Sequence, residues 1–331
     1  MKKSCSTMRR SILVTLAVAG LGCVGSVAVA SDAYPSKPVR LLVGFSAGGA
    51  VDNVARQLGQ GLSQKLGQPV VIENKPGATG TIAADAAAKA APDGYTLLLG
   101  TQSTMLVAPS LYPNLTFKPL QDFVPISLVA SVPLVLVANP SVPVKNIKEF
   151  IELARSKNGG LMYASSGQGG PQHVASELLA QMAGVKLGHV PYKGEALALN
   201  DVLGNQVPVM FGNLPTMLPH IRSGKVRAIA VSSLQRSEAA PEIPTIAESG
   251  LAGFEALTWF GVFAPAATPG PVVTRLEETI KQTLADPATK TKLQAQGLTV
   301  MGNSPDQFRA YMKTETVKWA KLVESAQIKP E

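Results

Sequence analysis

With 331 residues, 46% of them hydrophobic and 5% aromatic, the chain has an ordinary globular composition and the length for two packed domains. Its formal charge of +8 is carried by scattered Lys and Arg, with no basic run interleaved with aromatics, which excludes a nucleic-acid surface. Both cysteines, Cys5 and Cys23, fall in a removable N-terminal segment, which excludes disulfides and thiol chemistry from the mature protein.

Residues 1–30 read as a secretory signal peptide. Lys2, Lys3, Arg9 and Arg10 form a basic start, residues 12–29 are apolar and small, and Ala28-Val29-Ala30 is an A-x-A cleavage signal. Gly20, Gly22, Gly25 and Ser26 make the apolar run a poor membrane span. Gly20-Leu21-Gly22 ahead of Cys23 fits a lipoprotein acceptor poorly, and Arg9-Arg10 fits an ordinary secretory signal better than a twin-arginine one. Cleavage after Ala30 removes four basic and no acidic residues, which lowers the charge from +8 to +4. The expected product is a mildly basic periplasmic protein that meets small anions.

The mature chain opens on an apolar strand, Val39-Arg40-Leu41-Leu42-Val43-Gly44-Phe45, that runs through Ser46-Ala47-Gly48-Gly49 into a helix from Ala50, with Asp52 in its first turn. A strand, small residues and a helix start aim unpaired backbone N–H groups at an anion. Val54, Leu58, Leu62 and Leu66 recur at helical spacing, and Gly67 ends the helix. A strand at 70–72, a turn at Asn74-Lys75-Pro76-Gly77, a helix at 79–91 and a strand at 95–99 complete a rhythm that predicts a parallel sheet with right-handed crossovers. Thr101 and Gln102 then fall at the C-terminal end of a strand, where open α/β sheets bind ligands. Residues 106–120 read as short helix and loop, and 123–129 and 134–137 as two strands. Asn139-Pro140-Ser141-Val142-Pro143 marks the passage into a second domain.

The same plan then repeats. A helix at 147–157 and a strand at 161–164 lead to Ser165-Ser166-Gly167-Gln168-Gly169-Gly170-Pro171, a second strand-loop-helix with Pro171 suited to the first helical position. A helix at 172–182, a strand near 187–191, Tyr192-Lys193-Gly194, a helix at 195–203, a strand at 207–211, Gly212-Asn213, a helix at 216–222 and a strand at 226–231 follow. Residues 257–263 read as a return crossing, and helices at 272–284, 287–296 and 305–326 should pack on the first domain. The expected organisation is a first lobe from 31–138 and 259–331 and a second from 139–258.

Two opposed loops, each with N–H groups and a helix dipole, could clamp one carboxylate without any cation. No G-x-G-x-x-G and no Walker lysine occurs, so neither loop is a nucleotide fingerprint. Asp52 either accepts a ligand ammonium or hydroxyl or reaches back to cap its own helix. Ser165 and Ser166 are either anion-binding hydroxyls or caps. His173 lies in the helix turn nearest the cleft, while Tyr192 and Lys193 stand at a strand's C-terminal end. His173, His189 and His220 are widely separated in sequence, no H-E-x-x-H or C-x-x-C occurs, and neither metal nor cofactor is expected. Trp259 and Phe260 fit core packing better than a cleft wall. An exported hydrolase or deaminase using Ser165 or Asp52 with His173 is the competing class, although Ser165 lies outside any G-x-S-x-G.

At these residues the sequence resembles the Bug family, the substrate-binding receptors of tripartite tricarboxylate transporters. The matching stretches are Ala47-Gly48-Gly49 with Asp52 and Ala55-Arg56, Val71 to Ala78, Pro92-Asp93-Gly94-Tyr95-Thr96, Ser165-Ser166-Gly167 with His173 and Glu177, Val190 to Gly194, Pro244-Thr245 with Glu248 and Gly250, and Trp259-Phe260-Gly261. The resemblance implies a two-lobed α/β periplasmic binding protein (type II-like), each lobe a mainly parallel sheet flanked by helices, hinged by two crossings. It implies closure on a small organic carboxylate and, as partners, membrane transporter subunits or a sensor, with the receptor itself expected as a monomer and not an enzyme. Phe45, Ser46, Gly48, Gly49 and Asp52 would supply one jaw, and Ser165, Ser166, Gly167, Gly169 and His173 the other. Thr101 and Gln102 would line the floor; Tyr192, Lys193 and Asn213 are further ligand-binding candidates. The chain departs from many relatives in having Ser46 in place of Pro and Gly212 in place of an acidic residue before Asn213.

Overall fold

In the computed structural model, residues 34–329 are described; the signal peptide, the cleavage site after Ala30, Cys5 and Cys23 lie outside the described residues. Strand β1 (Val39–Val43) is buried at four of five positions and lies between β2 (Val70–Asn74) and β3 (Thr96–Thr101), parallel to both, with Leu41 opposite Ile72 and Leu97. All six residues of β3 are buried, the signature of a strand covered on both faces. Helix α1 (Ala50–Leu66) turns Val54, Leu58, Leu62 and Leu66 inward, each leucine contributing roughly 2 kcal/mol by burial. Gly67 closes it in the left-handed conformation at φ 69°, its N–H donating to Ser63. Helix α2 (Thr81–Ala88) is shorter than the predicted 79–91, because Gly77, Ala78, Thr79 and Gly80 all take positive φ. That turn is pressed onto the end of β1: a Cβ on Gly44 would lie 2.5 Å from the Gly80 Cα.

After β3 the chain forms a π-helical turn, Ser103–Val107, then α3 (Ala108–Leu111) and α4 (Pro119–Asp122). The two strands predicted at 123–129 and 134–137 are one strand of 16 residues, β4 (Phe123–Ala138), bent by register shifts between Pro125 and Ser127 and between Leu128 and Ala130. The second series comprises α5 (Ile147–Ser156), β5 (Leu161–Ser165), α6 (Pro171–Ala183), β6 (Leu187–Pro191), α7 (Glu195–Leu203), β7 (Val209–Asn213), α8 (Leu214–Arg222) and β8 (Arg227–Val231). The chain returns through β9 (Leu257–Pro265) to α9 (Gly270–Ala285), α10 (Pro287–Ala295), a short strand β10 (Thr299–Val300) that the sequence reading missed, and α11 (Pro305–Ser325).

The strands follow the order β2-β1-β3-β9-β4-β7-β5-β6, with β8 and β10 also paired to β4. The two lobes therefore share β4. Its first part pairs with β9 and β10, and Leu134 to Ala138 pair with β7 and β8. Ser232 pins the return crossing: its hydroxyl accepts the Leu134 N–H at 2.8 Å and donates to the Ala256 carbonyl.

One apolar cluster serves each lobe, and a third serves both. The shared one joins Leu98 of β3, Val174 and Leu178 of α6 and Phe211 of β7 to Phe308, Met312 and Trp319 of α11. Trp259 and Phe260 are core residues, fully buried, with the Trp259 ring meeting Phe308 edge-on at 5.5 Å.

Candidate functional site

The first loop leaves β1 at Gly44. Phe45 is half-buried, and Ser46, Gly48 and Gly49 are exposed. Asp52, 1% exposed, holds this loop from inside. One carboxylate oxygen accepts the Gly48 N–H at 2.9 Å and the Arg56 Nε at 2.8 Å; the other accepts Asn74 Nδ2 at 2.9 Å. Asn74 also donates to the Phe45 carbonyl at 3.0 Å. The Arg56 bond holds the Asp52 carboxyl down at about 2, with the Gly48 and Asn74 bonds outweighing the cost of burial alongside it. Of the two readings of Asp52, the geometry displays the one that reaches back to its own loop. Arg56 and Asn74 were legible only as members of a motif, because nothing local tells that two residues 18 apart converge on one carboxylate.

The second loop leaves β5 at Ser165, which is fully buried. The Ser165 hydroxyl lies 2.6 Å from His189 Nε2 and accepts the Gly167 N–H at 3.2 Å. Gly169 donates its N–H to His173 Nδ1 at 3.0 Å, and the half-buried Ser166 donates to Gln172 Oε1 at 2.5 Å. His173 and His189, expected to stand apart, are stacked, and Tyr163 stacks on His189 at 5.0 Å. Parallel pairing of β5 with β6 sets His189 opposite Tyr163, a relationship that sequence separation hides. Burial and then the neighbouring ring push His173 down to about 3.

Between the loops, Thr101 is buried and shares a 3.0 Å hydrogen bond with Thr104, whose hydroxyl donates to the Thr79 carbonyl. Gln102 is 2% exposed, and its side-chain carbonyl has no protein partner. Gly169 packs on the segment that follows: a Cβ there would lie 2.3 Å from Leu111 Cδ1. On the same edge Tyr192 turns its phenol to Asp201 at 2.5 Å, Lys193 is exposed, and Asn213 caps β7 half-buried. Gly212 has no room for an acidic side chain, since Met217 stands where its Cβ would be, yet Glu195 brings a carboxylate to Asn213 from the neighbouring helix. Glu195 escaped the sequence reading because it looks like an ordinary first-turn acid.

The helix starts share a pattern. Helices α1, α2, α6, α7 and α8, which follow the parallel strands β1, β2, β5, β6 and β7, have no side-chain hydrogen bond from their N-cap residues. Of the helices that start elsewhere, α5, α10 and α11 are capped by Asn146, Asp286 and Ser304, while α3, α4 and α9 have no such bond. Amides on one sheet edge in both lobes are thus left without the usual cap.

Residues 54–328 match the model of the tripartite tricarboxylate transporter family receptor. The chain belongs to this family of receptors. It is 40% identical over 296 residues to Protein BugT of Bordetella pertussis, covering 89% of this chain and 91% of that one. Among solved structures, R. palustris Rpa4515 with adipate superposes with a TM-score of 0.79 at 35% identity, covering 90% of this chain and all of that one. MatC (Rpa3494) from Rhodopseudomonas palustris with bound malate gives 0.76 at 34%, covering 88% and all. Periplasmic binding protein BugD superposes with a TM-score of 0.76 at 40% identity, covering 90% of this chain and all of that one, and the receptor has the two-lobed α/β architecture of a periplasmic binding protein. No helix among the described residues is long and apolar enough to cross a membrane. A separate recess of about 790 Å³ lies at the crossings, between Ser131, Pro133 and Leu257 and the stretches 233–239 and 297–301; it contains none of the predicted site residues.

Proposed function

We propose that the receptor closes in the periplasm on a small carboxylate and delivers it to a tripartite tricarboxylate-type transporter or to a sensor. Relatives of the same architecture hold adipate and malate, which supports the carboxylate class. The observation that carries the reading is the set of uncapped helix starts that follow the parallel strands of each lobe, above all α1 at Gly49 and α6 at Gly170. The first lobe comprises 31–138 and 259–331 and the second 139–258, after cleavage behind Ala30, and the receptor acts as a monomer. The ligand is held by main-chain amides of the two loops, Ser46 to Gly49 and Ser165 to Gly169, other than the Gly48, Gly167 and Gly169 N–H groups spent inside them, with Phe45, Thr101, Gln102, Tyr192, Lys193 and Asn213 around it. Asp52 and His173 hold the two loops in shape. A ligand touching both lobes favours closure, because only differential affinity shifts such an equilibrium.

Native mass spectrometry of receptor purified without unfolding should reveal a carried organic acid. Calorimetry should then show that Gly49→Pro loses binding of that acid with the fold intact. Gly49 has φ −79°, close to what proline adopts, so this change deletes an N–H and little else. Normal binding by the variant would refute the amide clamp. Gly167→Pro is no equivalent test, since φ 132° is closed to proline.

One observation favours the enzyme class: the 2.6 Å contact of Ser165 with His189 is a hydroxyl and imidazole pair. The pairing is with His189, where sequence had suggested His173. Ser165 is fully buried, however, and its hydroxyl serves the loop. Turnover of carboxylate esters or amides that vanishes in Ser165→Ala would establish that reading in place of the receptor.

A further inference from the structure

Glu195 opens α7 and is half-buried at the C-terminal edge of the second lobe's sheet. Its carboxylate accepts the Asn213 N–H at 2.5 Å and Asn213 Nδ2 at 2.8 Å; burial raises its pKa, and the Asn213, Gln172 and Thr216 groups beside it act the other way. Its oxygens accept these N–H groups, and this sets which way its neighbours turn.

Gln172 Oε1 accepts the Ser166 hydroxyl at 2.5 Å, which leaves its NH2 for the Glu195 side. Asn213 spends its N–H and its NH2 on Glu195 and turns Oδ1 the other way, 3.5 Å from Thr258 Oγ1 on the crossing strand β9. The Ser166 hydroxyl has therefore used its hydrogen, and the Asn213 side chain its two donors. Both groups present lone pairs along the half-buried edge that faces the crossing.

We infer that Glu195 is the specificity-determining positioning residue of the cleft: by orienting Gln172 and Asn213 it makes the second lobe's wall a hydrogen-bond acceptor, which selects carboxylates bearing a hydroxyl or ammonium over unsubstituted dicarboxylates. The inference rests on the carboxylate-receptor reading. A hydroxyl or ammonium satisfies this wall, whereas a second carboxylate meets it lone pair to lone pair. A site built to bond a polar substituent rejects the analogue that lacks it far better than an apolar pocket can.

The test is calorimetry at neutral pH on the mature chain with succinate, malate and aspartate, and with the longer pair adipate and 2-aminoadipate. Wild type should prefer the substituted member of at least one series by about tenfold or more. In Glu195→Gln the amide can donate to both neighbours and let them turn, so the preference should fall below about threefold while carboxylate binding persists. Gln172→Leu frees the Ser166 hydroxyl and should reduce the preference in part, which keeps the test decisive should Glu195→Gln not fold. A purely structural role would weaken all ligands alike and leave the ratio untouched. Equal wild-type affinity within both series, or a ratio unchanged in the folded variants, overturns the assignment of Glu195 alone. Absence of any carboxylate binding, with no acid carried by the native protein, overturns the receptor reading beneath it.

Discussion

The rings of His173 and His189 lie 3.8 Å apart, centre to centre, with their planes 18° from parallel, and Gly169 donates its N–H to His173 Nδ1. His173 must be neutral to accept that bond, which agrees with its displacement from 6.5 to about 3. Above pH 6.5 both folded and unfolded chains carry a neutral imidazole, and the residue has no effect on stability. Between about 6.5 and 3 only the unfolded chain takes up the proton, so stability falls with pH by up to about 1.4 kcal/mol per unit. Urea unfolding at pH 7.5, 5.5 and 4.5 should show this slope. His173→Gln, which keeps an acceptor but cannot titrate, should flatten it; parallel slopes would contradict the assignment.

Asp52 presents the opposite sign. Its folded carboxyl is held down at about 2, below the ordinary 3.8, so its stabilisation is complete above about 4 and is lost as pH falls towards 2. Asp52→Asn keeps one acceptor where three donors converge and should cost about 1–3 kcal/mol at neutral pH. Arg56 is half exposed, so Arg56→Leu should cost less, about 0–1 kcal/mol. Denaturant titrations of the two variants rank them directly, and the reverse order would show that the ion pair outweighs the amide and Asn74 bonds.

Gly169 should act as a spacer between the lobes. Its φ of 67° already disfavours an L side chain, and the added Cβ of Gly169→Ala would lie 2.3 Å from Leu111 Cδ1. The variant should bind ligand more weakly and scatter X-rays as a more open particle. Leu111→Ala in the same chain should restore much of the binding. If the double variant binds no better than Gly169→Ala, the defect lies in the loop conformation and not in the contact.

Helix α11 should matter to the whole protein and not to one lobe. Phe308 is fully buried in the shared cluster against Trp259 and Phe263, and Phe308→Ala should cost about 3–5 kcal/mol. Val317 is 70% exposed, and Val317→Ala should stay within about 0.5 kcal/mol. Thermal unfolding followed by circular dichroism separates these cases.

Most elements were legible from periodicity and from Gly and Pro punctuation, since local burial patterns and turns act over a few residues. The single long β4 was not, because Pro125 and Pro133 look like strand breaks until β9 and β10 are seen paired beside them. In the site, both strand-loop-helix units were visible. Their interior wiring, Asp52 with Asn74, Ser165 with His189 and Glu195 with Asn213, was not, because each pair joins residues on different elements.

Two α/β series, a glycine-rich loop at the head of α1 and of α6, and membership of a receptor family are all readable along the chain. Those follow from hydrophobic period, from residues that tolerate positive φ, and from ordered motifs. Which loop groups remain available to a ligand emerges from the folded arrangement alone. Side chains such as Asp52, His173 and Gln172 engage groups of their own loops, and strand register together with helix packing sets which donors and acceptors meet. The glycines at 48, 167 and 169, read as amides for an anion, spend those N–H groups inside their own loops. A linear pattern carries no information on which polar groups are already satisfied.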